Sequence, residues 1–146
     1  MKKICLFLPL FIFILGSFKA PVTEATDKVE TTFNETFKDV KNVQWDVTDN
    51  TYSARFTTNN VVESITYNTD GKFIRSRRCF GEELLPANVL ASVKAKYKGK
   101  TIRLITEIVE GNELLYSLTI DDEVNCWIVA AGPSGDTEVL SKFKKQ

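Results

Sequence analysis

Side chains able to do chemistry are few in this sequence. There is no histidine, which removes the usual base of serine and cysteine hydrolases along with the commonest metal ligand. Cys79 and Cys126 stand far apart with no Cys-x-x-Cys pair, so the spacing of a zinc site or of disulfide-exchange chemistry is missing. Acids cluster at Asp121, Asp122 and Glu123, and again at Glu107, Glu110 and Glu113. A calcium loop would need alternating oxygen ligands, and a glycosidase two inward-facing acids about 5–10 Å apart; neither pattern is laid out here. Acids in hairpin turns and on solvent faces explain these clusters. The glycines are scattered one per turn instead of forming a phosphate-binding loop. The expectation is a protein with no catalytic residue, no cofactor and no metal.

What the chain does have is aromatic surface. Trp45, Tyr52, Phe56, Tyr67, Phe73, Tyr116 and Trp127 all fall in segments of strand character. Trp and Tyr are favoured at protein–protein hot spots, which makes Trp45, Tyr116 and Trp127 candidate partner anchors. The competing reading is that they fill a core beneath helices. Tyr52, Ala54 and Phe56 share one strand face by period two, leaving Ser53, Arg55 and Thr57 on the other. That outer face reads as polar and rich in hydroxyls, which argues against a large apolar binding patch.

The elements that must position these residues follow from periodicity. Asp27 with Glu30 three residues on resembles a helix-start capping arrangement. Val29, Phe33, Phe37 and Val40 then make one apolar stripe on a helix of about three turns. Four short β segments follow, through Val43–Trp45, Tyr52–Phe56, Val61–Tyr67 and Lys72–Cys79, punctuated by Asp49-Asn50, Asn59-Asn60 and Asp70-Gly71. Connections this brief force antiparallel pairing. The order then repeats. Pro86 suits a first helical turn, Val89, Leu90, Val93 and Tyr97 give an apolar face, and Gly99 suits a C-cap. Four more strands span Thr101–Ile108, Leu114–Ile120, Val124–Ala131 and Thr137–Phe143.

Strand positions in the two halves correspond at a spacing of 64 residues (Tyr52 to Tyr116, Phe56 to Ile120, Gly71 to Gly135), and helix positions at 60 (Phe33 to Val93, Phe37 to Tyr97). The expected class is α+β: a tandem repeat of one helix on a four-stranded antiparallel meander, both helices on one face. The halves are 27–79 and 86–143, with 80–85 as connector. Each alone would have a marginal core, and joining two is the expected remedy.

The N-terminus sets the compartment. Lys2 and Lys3 precede an apolar run from Ile4 to Leu15 and then small residues, the layout of a signal peptide over 1–20. Cleavage after Ala20 or as late as Ala25 gives a periplasmic or secreted product. The apolar run is too short to span a bilayer, which takes roughly 20 residues. Residues 1–20 carry three lysines and no acid. Without them, 16 Lys and Arg face 19 Asp and Glu, a net charge of −3, and no basic stripe advertises nucleic-acid binding. Export permits a Cys79–Cys126 disulfide but does not require one; two buried thiols are the alternative.

The run Phe37-Lys38-Asp39-Val40-Lys41-Asn42-Val43-Gln44-Trp45, the Asp70-Gly71-Lys72-Phe73 turn and Leu84-Leu85-Pro86 before the second helix resemble the PepSY-like, β-lactamase-inhibitor-like exported domains of bacteria. The resemblance covers roughly residues 27–143. It implies the tandem helix-on-sheet fold and an extracytoplasmic role as a binding protein, with a secreted enzyme as one kind of partner. The other role open is a periplasmic small-ligand or envelope-stress module binding peptide, lipid or metal. Lys38 stands where many relatives have proline, and Gly132-Pro133-Ser134-Gly135 replaces an Asp-Gly turn.

Overall fold

Thr26 decides where the first helix begins. Its hydroxyl accepts from the Val29 N–H at 3.4 Å, satisfying one of the donors that every helix start leaves free. α1 then runs over Asp27–Thr36. The cap is therefore one residue earlier than Asp27, and Asp27 and Glu30 occupy the first turn, where negative charge suits the helix dipole. Val29 and Phe33 are buried, and Phe37 closes the helix as its C-cap. Val40 lies beyond the helix but still packs on the same apolar cluster. α2 spans Ala87–Lys96 after a 3-10 turn over Glu82–Leu84. Pro86 is its N-cap, one position before the expected first turn, and its carbonyl accepts from Leu90 N–H at 2.9 Å. Tyr97 is the C-cap, and Gly99, at φ +77°, lies two residues further on.

The computed structural model describes residues 25–145. The expected signal segment, with Lys2, Lys3 and Cys5, lies outside the described residues. Among those described, no helix is long and apolar enough to cross a membrane.

Eight strands form one sheet in chain order: β1 (Gln44–Thr48), β2 (Thr51–Thr58), β3 (Val61–Asn68), β4 (Phe73–Phe80), β5 (Thr101–Glu110), β6 (Glu113–Asp121), β7 (Asn125–Ala131) and β8 (Thr137–Lys144). Every neighbouring pair is antiparallel. Asp49, Asn50, Asn59 and Asn60 sit at positive φ in the first two hairpin turns, a conformation these residue types tolerate and tight hairpins require. The class is thus α+β, with two helices and one sheet. Strand periodicity left open whether two meanders would stay separate; β4 pairs with β5 from Arg75↔Glu110 to Phe80↔Ile105. That pairing satisfies two edges that would otherwise present unpaired backbone and sets buried Phe80 beside buried Ile105.

Register shows which face the helices cover. Ala54, Phe56, Ile65 and Tyr67 pack with Val29 and Phe33 of α1. Ile105, Leu118, Ile120 and Val129 pack with Val89 and Val93 of α2. The rows Glu63–Arg78–Glu107–Tyr116 and Ile65–Ser76–Val109–Leu114 connect these two sets across the sheet on one face. The turns at Gly71 (φ +75°) and Gly135 (φ +91°) pass against the helices. A Cβ on Gly71 would come 2.9 Å from Thr32 Oγ1, and one on Gly135 2.6 Å from Ser92 Oγ.

Candidate binding face

The three aromatic candidates lie on the covered side. Trp45 is half-buried, its ring edge-on to Phe33 at 5.5 Å. Tyr116 is 3% exposed and belongs to the α2 cluster. Trp127, also in that cluster, lies beneath two lysines, with Lys100 Nζ 3.9 Å from its ring centre and Lys142 Nζ at 5.3 Å. Alternation along each strand turns these rings toward the helix side, where Tyr116 and Trp127 are buried, while Trp45 stays half-buried and also borders a hollow on the sheet. Of the other aromatics named, Phe73 at the start of β4 is 47% exposed.

The cysteines are both free and half-buried. They sit on β4 and β7, three strand steps apart, roughly 14 Å at the usual spacing of about 4.8 Å, whereas a bridge needs Cα atoms within about 7 Å. An intrachain disulfide does not fit this sheet. Cys79 instead lies 3.5 Å from Thr106 Oγ1 on β5.

Three of the clustered acids, Asp121, Asp122 and Glu107, have structural work. Asp121 accepts from Arg103 Nε at 2.9 Å and Lys145 Nζ at 2.5 Å, tying the end of β8 to β6; these hydrogen bonds hold its carboxyl below the usual range. Asp122 caps the following turn through Val124 and Asn125 N–H and meets Lys100 at 2.7 Å. Glu107 shares Arg78 with Glu63, at 3.0 and 3.6 Å, in a polar seam between the two apolar clusters. Among the described residues, no group of three or more His, Cys, Asp or Glu is placed to hold a metal.

Burial of the Tyr67 and Tyr116 rings, helped at Tyr116 by the Glu107 charge across the strand pair, raises both phenol pKa values. A neutral phenol is then favoured by folding. Its contribution is complete below about pH 10 and lost as pH rises through the raised value. Tyrosinate absorbance from these two rings should therefore develop together with alkaline unfolding. Y67F and Y116F should each remove amplitude from that late phase; amplitude lost from an earlier phase would contradict their burial.

The opposite face carries no helix, and its two halves differ. On β1–β4, Ser53, Ser64 and Thr66 form a low floor, with Ser53 and Thr66 oxygens 2.9 Å apart across β2 and β3. Arg55, Arg75 and Arg77, with Asp46 and the rest of Trp45–Thr48 on β1, stand around an open hollow of about 510 Å³. On β5–β8, the same face carries Leu104, Ile108, Leu115, Ile128 and Phe143. Leu104, Leu115 and Phe143 are 47%, 36% and 56% exposed. The polar outer face expected from β2 and β3 is present, but only on the first half. Leu104, Leu115 and Phe143 have the sequence character of core residues, and only register fixes the side they occupy.

No protein-family model and no curated protein matches the sequence. Solved structures do resemble it. A DUF2874 family protein from Bacteroides ovatus superposes with TM-score 0.69 at 17% identity, over 83% of this chain and 88% of that one. A protein proposed to be periplasmic, from Bacteroides eggerthii, gives 0.68 at 15%, over 83% and 89%. A BLIP-like protein from Bacteroides fragilis gives 0.68 at 10%, over 83% and 86%. At such identities the likeness concerns the fold alone, and that fold is BLIP-like.

Proposed function

We propose that this chain is an exported, non-catalytic protein whose helix-free sheet face binds an extracytoplasmic protein such as a secreted enzyme. The observation carrying this reading is the single eight-stranded sheet with both helices on one side, which leaves the other side open, apolar over β5–β8 and arginine-rimmed over β1–β4. Exposed apolar side chains grouped beside polar ones are the ordinary make-up of a protein-binding surface. The neighbours described as BLIP-like and as proposed to be periplasmic point the same way. The sequence offers no histidine for acid–base work.

The tandem organisation, with halves at 27–79 and 86–143 joined by 80–85, is part of this reading, as is kinship with PepSY-like domains. In its support, the buried pairs Val29 and Val89, and Phe33 and Val93, keep the 60-residue spacing, while Phe56 and Ile120, and Ile65 and Val129, keep 64. Cleavage after Ala20, or as late as Ala25, is part of the same reading.

The test is partner capture from a periplasmic extract. L104E/L115E should lose the captured protein by at least about tenfold, since charge in the apolar centre of an interface is left unpaired on binding. A charge reversal on the outer side of α2, K94E, should leave capture unchanged. Full capture by L104E/L115E, or no partner at all for the unmodified protein, would exclude this use of the face.

A further inference from the structure

We infer that the arginine-rimmed hollow on β1–β4 receives an acidic peptide segment of the protein partner; this rests on the proposed binding role of the open face and names the chemistry its first half selects. Three arginines rise from β2 and β4, on either side of β3, around a floor of short hydroxyl side chains. Arg55 on β2 faces Ser64 on β3, which in turn faces Arg77 on β4; Thr66 faces Arg75. The alternation of long and short residues makes the depression, of about 510 Å³.

Among the described residues these charges are little used internally. Arg55 meets Asp46 at 3.3 Å with both side chains more than half exposed, a pairing that contributes little in water. Arg75 and Arg77 have no ion-pair partner among the described residues. Glu110 lies across β5 from Arg75, yet does not pair with it. Elsewhere on the molecule arginine is engaged: Arg78 holds Glu63 and Glu107, and Arg103 holds Asp121. Two unengaged guanidinium groups two residues apart on one strand face are therefore a feature of this hollow.

Guanidinium is a planar fork that matches a carboxylate with two parallel hydrogen bonds. The Ser53 and Thr66 hydroxyls share one proton between them at 2.9 Å, leaving one hydroxyl hydrogen directed elsewhere as a further donor. Donors thus outnumber acceptors, and the two free charges on β4 are spaced for acids on an extended chain, whose alternate side chains point the same way. The apolar residues on β5–β8 continue from its rim, so a segment seated here would belong to a body resting on them.

The test uses a fluorescent hexapeptide of alternating Asp and Glu, its Asn/Gln counterpart, and inorganic phosphate as competitor. The acidic peptide should bind the unmodified protein at least about tenfold tighter than the neutral one, and weaken as salt rises from about 50 to about 300 mM. R75Q/R77Q should lose at least about tenfold in affinity, with R75K/R77K intermediate because charge remains without the fork. Should the double variant fold poorly, R77Q alone, at an exposed site, carries the same expectation. Equal binding of the neutral peptide, unchanged binding by the arginine variants, no binding at low salt, or displacement by phosphate as effective as by unlabelled peptide would each overturn the assignment. L104E/L115E should retain the peptide. Partner capture abolished by L104E/L115E but untouched by R75Q/R77Q would overturn the acidic segment alone. Capture untouched by both would remove the binding face as well.

Discussion

Replacing Phe33 with alanine is expected to cost about 3–5 kcal/mol of folding stability. The ring is 1% exposed and holds the α1 side of the molecule together. Phe37 stacks on it at 4.9 Å, while Trp45 and Phe56 meet it edge-on at 5.5 Å each. Truncation would leave a void that three rigid rings cannot easily collapse into, and it would break three aromatic contacts at once. Against a typical total of about 5–15 kcal/mol, a loss of this size removes a large share of the stability. Urea titration followed by tryptophan fluorescence measures it, with F33L expected to lose less. A loss under about 1 kcal/mol for F33A would mean that α1 is not packed on the sheet as described.

Removing the Arg78 guanidinium comes next, at about 1–3 kcal/mol. Arg78 lies between Glu63 and Glu107 on adjacent strands, and each carboxylate side chain is only 17% exposed. R78M preserves much of the apolar stem but leaves two half-buried negative charges facing each other without a counter-ion. The cost should come mostly from that stranded pair, not from the lost arginine. E63Q/E107Q in the R78M background should therefore recover most of the stability. Denaturant midpoints for the set form the check. If R78M is as stable as the parent, or if the added glutamines restore nothing, the seam does not bind the two clusters electrostatically.

Much of this architecture is readable from residues alone. Val29 and Phe33 announce one buried helix face and Val89 and Val93 the other; Asp49-Asn50, Asn59-Asn60 and Asp70-Gly71 mark the turns. Period two sorts Tyr52, Ala54 and Phe56 from Ser53 and Arg55. What local pattern does not contain is register between distant strands. The β4–β5 pairing brings Arg78 to Glu107 and makes one sheet out of eight strands, and neither strand's own sequence specifies that neighbour. The make-up of the helix-free face depends on register in the same way. Arg55, Arg75 and Arg77 stand on two strands, and Leu104, Leu115 and Ile128 on three; only pairing gathers them. A large ring on a strand signals burial as readily as contact, and Tyr116 and Trp127 are buried while Trp45 is half-buried. Helix ends shifted by single residues because Thr26 and Pro86 cap where Asp27 and the first turn of α2 were expected.

Cys79 and Cys126 both point to the helix-free side, since their neighbours Arg78, Phe80 and Trp127 occupy the covered one. They are native reporters of that face. The most direct measurement is the alkylation rate of each thiol, resolved by peptide mass spectrometry, with and without the captured partner. If the open sheet is where the partner sits, both thiols should be slowed together, by about tenfold or more at saturating partner. Unchanged rates at both positions, in a complex shown to be fully formed, would put the contact elsewhere on the molecule.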